Sequence, residues 1–479
     1  MKVAIVHYHL QPGGVTRVIE NTILAWSLSG TDIDTVTLSG RPYDGSLLGK
    51  TEVVEGLDYA NSENAINPDI LTKRMEESAS KALGQIPDIW HIHNHSLGKN
   101  SSLTAAVALL AEKGYSLLLH PHDFAEDGRP DNFLSLKTVY NRAYPTSGRI
   151  HYAVLNQRDY LFFDELLEGS SSKVHLLANA IPSDIPKVEV SSQRGSLPEN
   201  LYLYPVRAVR RKNLGELALL SMIHPDKHFA NSLGPTNPAF RPQFEEWNDF
   251  SKNHNLSVTF GLGETGTFSF PEMVMHSEAI ITTSIAEGFG LGFLEPWIFG
   301  KGLCGRNIPE VTQDFSKLGI NLDHLYERIE VDLELIGKEE NFISLINQSL
   351  RQFYSDYGEI QPVNSSQLAI ESMVKNGYID FGRLNESMQK EVLNKIKTSS
   401  IVRTELREQI TLALPKKEFF KKNKESIVEN FSLKSYGTRL QNIYKQVLEN
   451  KEMGLDFANG RKLLSSFLCP SRLNLLRTR

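Results

Sequence analysis

Residues 282–296, which read TTSIAEGFGLGFLEP, constrain what this chain can fold into more than any other segment. Two glutamates in this segment, Glu287 and Glu295, are eight positions apart. The preceding residues, 279–283, have the apolar, β-branched character of a buried strand, and residues 293–299 have helical spacing. The segment therefore predicts a loop that leaves a parallel strand and enters a helix, which is where α/β sheets commonly bind ligands.

The glycines of this loop are Gly288, Gly290 and Gly292. Glycine lets the backbone approach a ligand closely and expose its N–H groups, and the next helix begins with free donors that suit a phosphate. Glu287 at the start of the loop and Glu295 in the helix can each accept hydrogen bonds from ligand hydroxyls. The loop therefore suits a ligand with an anionic group between two groups that carry hydroxyls, and a nucleotide sugar is such a ligand. The alternative is a glycine-rich connection with two solvated carboxylates.

The form EGFGLGFLE, after a strand and before a helix, resembles the E-x7-E signature of retaining glycosyltransferases of the GT-B fold, family 4. The resemblance implies that Glu287 contacts the transferred sugar and that Glu295 contacts the ribose of the nucleotide. It implies that backbone amides around Phe289, Gly290 and Leu291 face sugar and phosphate. The implied fold class is α/β: two Rossmann-like doubly wound domains facing a cleft, with a helical insertion in the C-terminal part.

Arg207 and Lys212 lie five positions apart, at a predicted strand end and the start of the following helix. Two fixed cations there can neutralise a diphosphate leaving group, which is the main electrostatic demand of glycosyl transfer without a metal. They resemble the R-x4-K-(G/N) motif of the family, with Asn213 where glycine is commoner. Because Arg210 and Arg211 lie between these two residues, the alignment of the segment to the motif is slightly ambiguous. A solvated basic turn is the alternative.

The sequence Pro12-Gly13-Gly14 lies between a predicted strand at 2–7 and a predicted helix at 15–28. It lacks the G-x-G-x-x-G pattern of a dinucleotide-binding fingerprint. It resembles the family loop that lies beside the donor phosphates, which makes Gly13 and Gly14 candidate donor-binding residues. A glycine pair needed only for the turn is the alternative.

Five histidines lie at the ends of two predicted strands, 89–93 and 116–119, and these are His91, His93, His95, His120 and His122. Their spacing lacks the framework of a known zinc enzyme, so we expect no metal site. His122 falls where family 4 enzymes often show a His near the transferred sugar, and His120 is a rival for that position. The acceptor-binding candidates are His93, His122, Asp123 and Arg129, and the polar loop 124–132 is a candidate acceptor cover.

With 479 residues the chain is too long for one ordinary core. We expect an N-terminal acceptor domain at 1–185, completed by a C-terminal helix within 430–465. Ser432 is the predicted N-cap of that helix, and its predicted apolar face is Tyr436, Leu440, Ile443, Tyr444 and Val447. A nucleotide-sugar domain at 199–430 carries a helical insertion at about 318–414 in this interpretation. The best linker candidate is 182–198, and 472–479 is expected to be a solvated basic tail.

Composition excludes several classes of protein. The net charge of −6 gives no general attraction to nucleic acid or to anionic membranes. The two cysteines are far apart in the sequence and make no disulfide framework. The sequence contains no uninterrupted apolar run of about 18 residues, so we expect no transmembrane helix. We expect a cytoplasmic protein, and a homodimer is compatible with the sequence.

The sequence hypothesis is a retaining hexosyltransferase that uses a nucleotide sugar, with UDP-glucose or GDP-mannose as leading donors, and needs no cofactor. The residues assigned to catalysis are His122, Glu287, Arg207 and Lys212. The acceptor is expected to be a small soluble molecule that carries a hydroxyl and is compatible with an anionic group. A GT-B sugar phosphorylase, a sugar-nucleotide epimerase and a non-catalytic partner subunit are the alternatives. Donor base, linkage and the role of the insertion stay open.

We expect one nucleotide among UDP, GDP, ADP and their common sugars to raise the melting temperature of the purified protein without added metal. Glu295→Ala and Lys212→Ala should each abolish this shift, because they remove the ribose contact and a phosphate-binding cation. Differential scanning fluorimetry measures the shift. Absence of any shift in well-folded protein would contradict the nucleotide-sugar hypothesis.

Overall fold

The computed structural model describes residues 1–30, 32–61, 63–168, 173–182, 197–450 and 454–477. The chain divides into two units, which we call unit 1 and unit 2. Unit 1 is Met1–Pro182, Ser355–Glu359 and Glu429–Cys469, and unit 2 is Ser183–Tyr354, Ile360–Val428 and Pro470–Arg479. Most of the predicted linker, 183–196, lies outside the described residues.

Unit 1 is built on a seven-stranded sheet in which all strand pairs are parallel, in the order β3-β2-β1-β4-β5-β7-β8. The elements of its first part are β1 Lys2–Val6, α1 Gly14–Ser29, β2 Asp34–Ser39, β3 Lys50–Val53, α2 Pro68–Leu83, β4 Ile89–His93, α3 Ser101–Glu112, β5 Leu117–His120, α4 Pro130–Ser135, β6 Pro145–Thr146, β7 Ile150–Val154, α5 Gln157–Leu166 and β8 Val174–Leu176. Helices between parallel strands cover both faces of such a sheet.

Alternate residues of β1 illustrate how the sheet separates two cores. Ala4 and Val6 belong to one buried cluster, together with residues of α2 and α3. Val3 and Ile5 belong to a second cluster on the other face, together with residues of α1. Because side chains of a strand alternate between faces, a fully apolar strand is what a sheet covered on both sides requires.

Unit 2 contains a five-stranded parallel sheet in the order β11-β10-β9-β12-β13. Its elements are β9 Leu201–Arg207, α6 Leu214–Ile223, β10 His228–Leu233, α7 Arg241–Asn253, β11 Val258–Thr259, α8 Phe270–His276, β12 Ala279–Thr282, α9 Glu295–Ile298, β13 Gly302–Gly305 and α10 Pro309–Lys317. Two parallel, doubly wound units confirm the predicted α/β fold class.

The insertion in unit 2 is mostly helical, and it also contains a small antiparallel sheet in the order β14-β16-β15. Its elements are β14 Glu330–Asp332, α11 Glu339–Asp356, α12 Ser365–Met373, β15 Val374–Lys375, β16 Tyr378–Asp380, α13 Glu386–Thr398, α14 Ser400–Gln409 and α15 Lys417–Phe431. The helical character of the insertion agrees with the prediction, and its three short strands were not predicted, because strands of two or three residues leave no measurable period in a sequence.

The chain then returns to unit 1 as α16 Leu433–Glu449, β17 Asp456–Phe457 and α17 Arg461–Phe467. The predicted N-cap of α16 is confirmed, since the side chain of Ser432 accepts a hydrogen bond from Ser435 N at 3.3 Å. The predicted apolar face of this helix is buried in the second core of unit 1, and it consists of Tyr436, Leu440, Ile443, Tyr444 and Val447.

Arg306, which follows β13, attaches the insertion to the sheet of unit 2. Its guanidinium is 3% exposed and bonds to Glu216 of α6 at 2.6 Å and to Asp380 of β16 at 2.8 Å. Burial by itself would lower the pKa of Arg306, because it disfavours the charged form. The carboxylates of Asp380 and Glu216 outweigh this effect and hold the pKa of Arg306 above its usual value. Arg306 thus supplies a buried cation that the insertion requires.

The expectation of a solvated C-terminal tail is wrong for its described part. Arg472 pairs with Glu310 at 3.0 Å, and Arg477 is 1% exposed and lies 2.9 Å from Glu386. Burial lowers the pKa of Arg477 to about 10. The end of the chain therefore packs into unit 2, because Glu386 of the insertion supplies its counter-charge.

Among the described residues, no helix combines the length and the apolar character needed to cross a lipid bilayer.

Replacing Arg306 by methionine should destabilise unit 2 by about 3–5 kcal/mol, because two buried carboxylates would lose their counter-ion. Urea unfolding followed by circular dichroism measures the loss. The matched control is Arg407→Met, since Arg407 pairs with Asp226 at 3.2 Å and both side chains are more than half exposed. We expect that control to cost less than about 1 kcal/mol. Equal losses in the two variants would contradict the structural role of Arg306.

Candidate functional site

Two loops meet at the carboxyl edge of the unit 2 sheet because β9 and β12 are paired parallel strands. The first loop follows β9 and contains a single turn of 3₁₀ helix, Arg210–Lys212. The second follows β12 and holds the E-x7-E segment. Ile285 N donates to Arg211 O at 3.0 Å, and the Thr283 hydroxyl donates to Lys212 O at 2.8 Å. These bonds fix the predicted cations beside the first glutamate.

Lys212 and Glu287 form an ion pair at this edge, between Nζ and Oε1. Their side chains are 14% and 15% exposed, so the pair is shielded from most solvent. The Ser284 hydroxyl donates to the same carboxylate oxygen, and Tyr204 Oη lies 2.6 Å from Ser284 Oγ. Arg211 Nε lies 4.0 Å from the other oxygen of Glu287. The carboxylate is therefore held by two cations and a hydroxyl.

Burial lowers the pKa of Lys212, and Glu287 opposes this effect. A buried ammonium requires an anion nearby, and the described residues supply Glu287. A phosphate placed at this edge would compete with Glu287 for Lys212 Nζ. The pair can therefore act as an exchangeable anion site.

The other basic residues of the first loop are placed differently. Arg207 ends β9, is exposed, and has no ion pair with a described residue. Arg210 lies 3.3 Å from Glu386 and thus contacts the insertion. Asn213 adopts a left-handed backbone with φ 53°, which explains how it replaces the commoner glycine. Of the predicted pair, Lys212 is partnered and Arg207 is open to solvent.

The second loop differs from the predicted geometry at its end. Glu295 is the first residue of α9, which has four residues, so the expectation of a longer helix over 293–299 is wrong. A turn of 3₁₀ helix, Leu291–Phe293, replaces its beginning. Gly290 is the N-cap of this turn, has φ 89°, and leaves no space for a side chain, since a Cβ there would lie 2.6 Å from Val311 Cγ1.

The remaining residues of this loop divide between core and surface. Phe289 is buried, and its ring packs edge-on against Phe315 with centroids 5.8 Å apart. Its side chain therefore fixes the loop, and only its backbone can serve the predicted donor contact. Gly288, Leu291 and Gly292 are exposed at the surface of the loop.

The glycine pair of unit 1 opens α1. Gly13 is the N-cap in an extended conformation, Gly14 is the first helical residue, and both are exposed. No side-chain cap and no acidic residue occupies the first turn. This arrangement is compatible with the predicted donor contact of both glycines.

The predicted histidines gather at the carboxyl edge of the unit 1 sheet, where His93 of β4 lies opposite His120 of β5. His91, His93 and His120 are fully buried, and ring nitrogens of the three lie within 4.8 Å of one another. His91 Nδ1 lies 2.8 Å from Tyr444 Oη, and His91 Nε2 lies 3.1 Å from His120 Nδ1. We call this group, together with His122, the histidine cluster.

The histidine cluster is neutral at pH 7. Burial lowers the pKa of His91 to about 3 and that of His122 to about 4, and burial together with neighbouring histidines holds the pKa of His93 well below its usual value. Neutral imidazoles this close could ligate a metal, but two nitrogens of His91 and His120 already face each other as a hydrogen-bonded pair. The expectation of no metal site stays a prediction.

Asn94 positions the predicted acceptor residues that follow β5. Its Oδ1 accepts hydrogen bonds from His122 N at 2.7 Å and from Asp123 N at 3.2 Å. Asp123 pairs with Arg129 at 2.6 Å. His122 is partly exposed while His120 is fully buried, so His122 is the one of the two rivals that can reach a ligand. His93 is buried behind it, with Nδ1 2.8 Å from His122 Nε2.

Sequence reasoning missed several residues of these two edges. Ser284 and Tyr204 hold Glu287 in unit 2, and neither belongs to a recognisable motif. In unit 1, Lys99 Nζ lies 5.7 Å from the ring centroid of Tyr59, which is 45% exposed. Lys99 has no carboxylate partner among the described residues. Only its position soon after a predicted strand end could have indicated it.

No protein-family model matches the chain. A curated relative is the mannosylglucosyl-3-phosphoglycerate synthase of Petrotoga mobilis, 25% identical over 438 aligned residues that cover 82% of this chain and 84% of the relative. Among solved structures, sucrose-phosphate synthase from Thermosynechococcus elongatus matches with a TM-score of 0.52 and 13% identity, over 94% of this chain and 100% of that one. A glycosyltransferase from Rickettsia africae matches with a TM-score of 0.52 and 15% identity, over 94% and 99%. The chain therefore has the GT-B glycosyltransferase fold.

The Lys212–Glu287 pair predicts opposite effects of two substitutions on pyrophosphate binding. Lys212→Ala should weaken it about tenfold or more, because a phosphate-binding cation is lost. Glu287→Gln should leave it equal or tighter, because the competing anion is removed. Isothermal titration calorimetry measures both, with Lys252→Ala on the exposed side of α7 as the control. Weaker binding by Glu287→Gln would show that the two anions do not compete.

Proposed function

We propose that this GT-B chain is a retaining glycosyltransferase of the family 4 type. It would move a hexosyl group from a nucleotide diphosphate sugar, UDP-glucose or GDP-mannose, to a hydroxyl of a small anionic acceptor. The observation that carries the proposal is the shielded Lys212–Glu287 pair at the carboxyl edge of unit 2, together with the exposed cation Arg207 at the end of β9.

The donor would use this edge of unit 2. Its diphosphate would take Lys212 from Glu287 and would engage Arg207, so that both cations stabilise the charge that develops on the leaving group. Glu287, released from Lys212, would accept hydrogen bonds from hydroxyls of the transferred sugar. Glu295 at the start of α9 would accept those of the ribose. Backbone groups of the exposed loop glycines would complete the contacts at this edge, and Gly13 and Gly14 stay the proposed donor-binding residues of unit 1.

The chemistry needs no dedicated nucleophile from the protein. A retaining transfer in which acceptor and leaving group share one face of the sugar passes through an oxocarbenium-like state. Such a state is favoured by a stabilised leaving group and by an oriented sugar. Lys212 and Arg207 would supply the first, while Glu287 and His122 would supply the second. In this proposal the reaction uses no cofactor and requires no metal ion.

The acceptor would use the carboxyl edge of the unit 1 sheet. His122 is partly exposed there, and the Asp123–Arg129 pair lies beside it. Lys99 is the cation of this edge that no described carboxylate neutralises, which supports an acceptor with an anionic group. The relative from Petrotoga mobilis is named as the synthase of a 3-phosphoglycerate derivative, and this supports a phosphorylated sugar acid as acceptor.

Three further points stay proposals. We infer a soluble cytoplasmic enzyme, and a homodimer is compatible with it. A partner subunit without catalysis is disfavoured because Arg207, Lys212 and Glu295 are all present. A phosphorylase would require phosphate as the acceptor, and no observation on unit 1 favours it over a sugar acid.

The test is incubation of the full chain with UDP-glucose or GDP-mannose and a panel of acceptors, followed by proton NMR of the product. The panel contains glucosyl-3-phosphoglycerate, 3-phosphoglycerate, glucosylglycerate and glucose. We expect transfer with retained anomeric configuration, a preference for an anionic acceptor, and a fall in kcat of about 100-fold or more for Arg207→Ala. Lys99→Ala should raise KM for the anionic acceptor with little change in kcat.

The control for charge removal is Glu405→Gln, an exposed substitution on α14. It should leave all rates unchanged. An inverted anomer in the product would overturn the retaining assignment. Donor hydrolysis or transfer that is insensitive to Arg207→Ala would overturn the assigned leaving-group site.

A further inference from the structure

His93 and His122 form a pair of imidazoles joined by one hydrogen bond, and the ring that donates the proton in this bond has to be identified. Nδ1 of His93 lies 2.8 Å from Nε2 of His122, and the rings are nearly coplanar, with centroids 5.1 Å apart and an angle of 14°. At that separation the rings lie end to end, so a straight N–H···N hydrogen bond joins them. One nitrogen must donate and the other must accept.

The far side of His93 decides between the two arrangements. Its Nε2 is buried and has no hydrogen-bond partner among the described residues. If His122 donated, His93 would carry its proton on Nε2, and a buried N–H would be left without an acceptor. If His93 donates through Nδ1, only a lone pair is left unpaired. Orphaned buried N–H groups are the rarer of the two in proteins.

We infer that His93 is a positioning residue that donates through Nδ1 to His122 and thereby fixes His122 as the tautomer protonated on Nδ1. His122 then presents an N–H donor at its free nitrogen. That nitrogen has no hydrogen-bond partner among the described residues, and the side chain is partly exposed. The group it would recognise is an oxygen acceptor on a ligand, such as a sugar hydroxyl oxygen, a carboxylate or a phosphate.

One further contact and the burial of both rings keep the His93–His122 pair in a single arrangement. Asn94 Oδ1 holds the backbone N–H of His122, so the ring orientation is the remaining freedom of that residue. Burial lowers the pKa of both imidazoles, so neither becomes a double donor at neutral pH. A tautomer set by the hydrogen bond of the other ring nitrogen is a general property of histidine. This inference rests on the proposed function only in assigning a sugar or acceptor oxygen to His122.

A matched pair elsewhere in the same sheet provides the control. His151 Nδ1 lies 2.7 Å from His175 Nε2, with centroids 5.0 Å apart and an angle of 19°, and His151 Nε2 is also buried without a partner. His151 is the second residue of β7 and His175 is the second residue of β8, the outermost strand of this sheet, and neither belongs to the candidate site. His151→Phe therefore breaks an equivalent pair away from the candidate site.

The first measurement is a long-range proton–nitrogen correlation spectrum of the full chain with ring-¹⁵N histidine at pH 7, in which His122→Gln identifies the His122 signals. We expect Nδ1 of His122 to carry the proton. A proton on Nε2 overturns the inference, and so does stoichiometric metal in the purified protein bound to His93. This readout requires no substrate, so it stands even where no glycosyl transfer is found.

The second measurement is turnover of variants, made on the donor and acceptor that the wild type uses. His93→Phe should lower kcat about 10- to 100-fold and leave the dissociation constant of the nucleotide unchanged, because His122 loses its orienting donor. His93→Asn can place an amide N–H near the position of Nδ1 and should restore kcat to within about threefold of wild type. His151→Phe should leave kcat unchanged.

The outcomes separate two failures. Transfer that is present but equally fast in His93→Phe overturns the positioning role alone. Absence of transfer in wild type, with the Nδ1–H tautomer observed, overturns the proposed function and leaves the His93–His122 assignment standing. Where His93→Phe does not fold, the wild-type spectrum and the His93→Asn variant still decide.

Discussion

Parallel pairing of strands is the constraint on which both candidate edges depend. In each unit the central strands run side by side in the same direction, so the loops that follow them emerge at one edge. Residues far apart in the chain meet there as a consequence. Lys212 reaches Glu287, 75 positions away, and His93 reaches His122, 29 positions away. The chemistry of the protein is thus concentrated by backbone hydrogen bonding before any side chain contributes.

Charge is handled differently at the two edges. The unit 2 edge keeps a shielded cation and carboxylate together, and Arg306 is paired with two further buried carboxylates, one of them in the insertion. Each buried charge there has a partner, as burial of ions requires. The unit 1 edge instead buries imidazoles that stay neutral, because burial lowers their pKa. An anion at the unit 2 edge would therefore meet fixed cations, whereas an anion at the unit 1 edge would meet neutral imidazoles and the cation Lys99.

Much of this arrangement was predictable because it follows from local pattern. Apolar strands followed by glycine-rich turns and helices gave two doubly wound units, and the capped apolar face of α16 was found where its spacing placed it. Candidate residues such as Glu287 and His122 stand at strand ends, where position alone indicates a ligand site. The short α9, the small sheet of the insertion and the buried Arg477 were missed, because each depends on contacts between distant segments.

By itself the sequence determined the fold class, the strand-end positions of the candidate residues and the kinds of group they carry. These depend on periodicity, glycine placement and residue chemistry, which are properties of short segments. Only the tertiary structure decided which cation is shielded and which is open, which histidine is exposed, and which ring nitrogen is left without a partner. The physical reason is that burial and hydrogen-bond partners come from residues distant in the chain, and these set the charge and the proton position of a side chain.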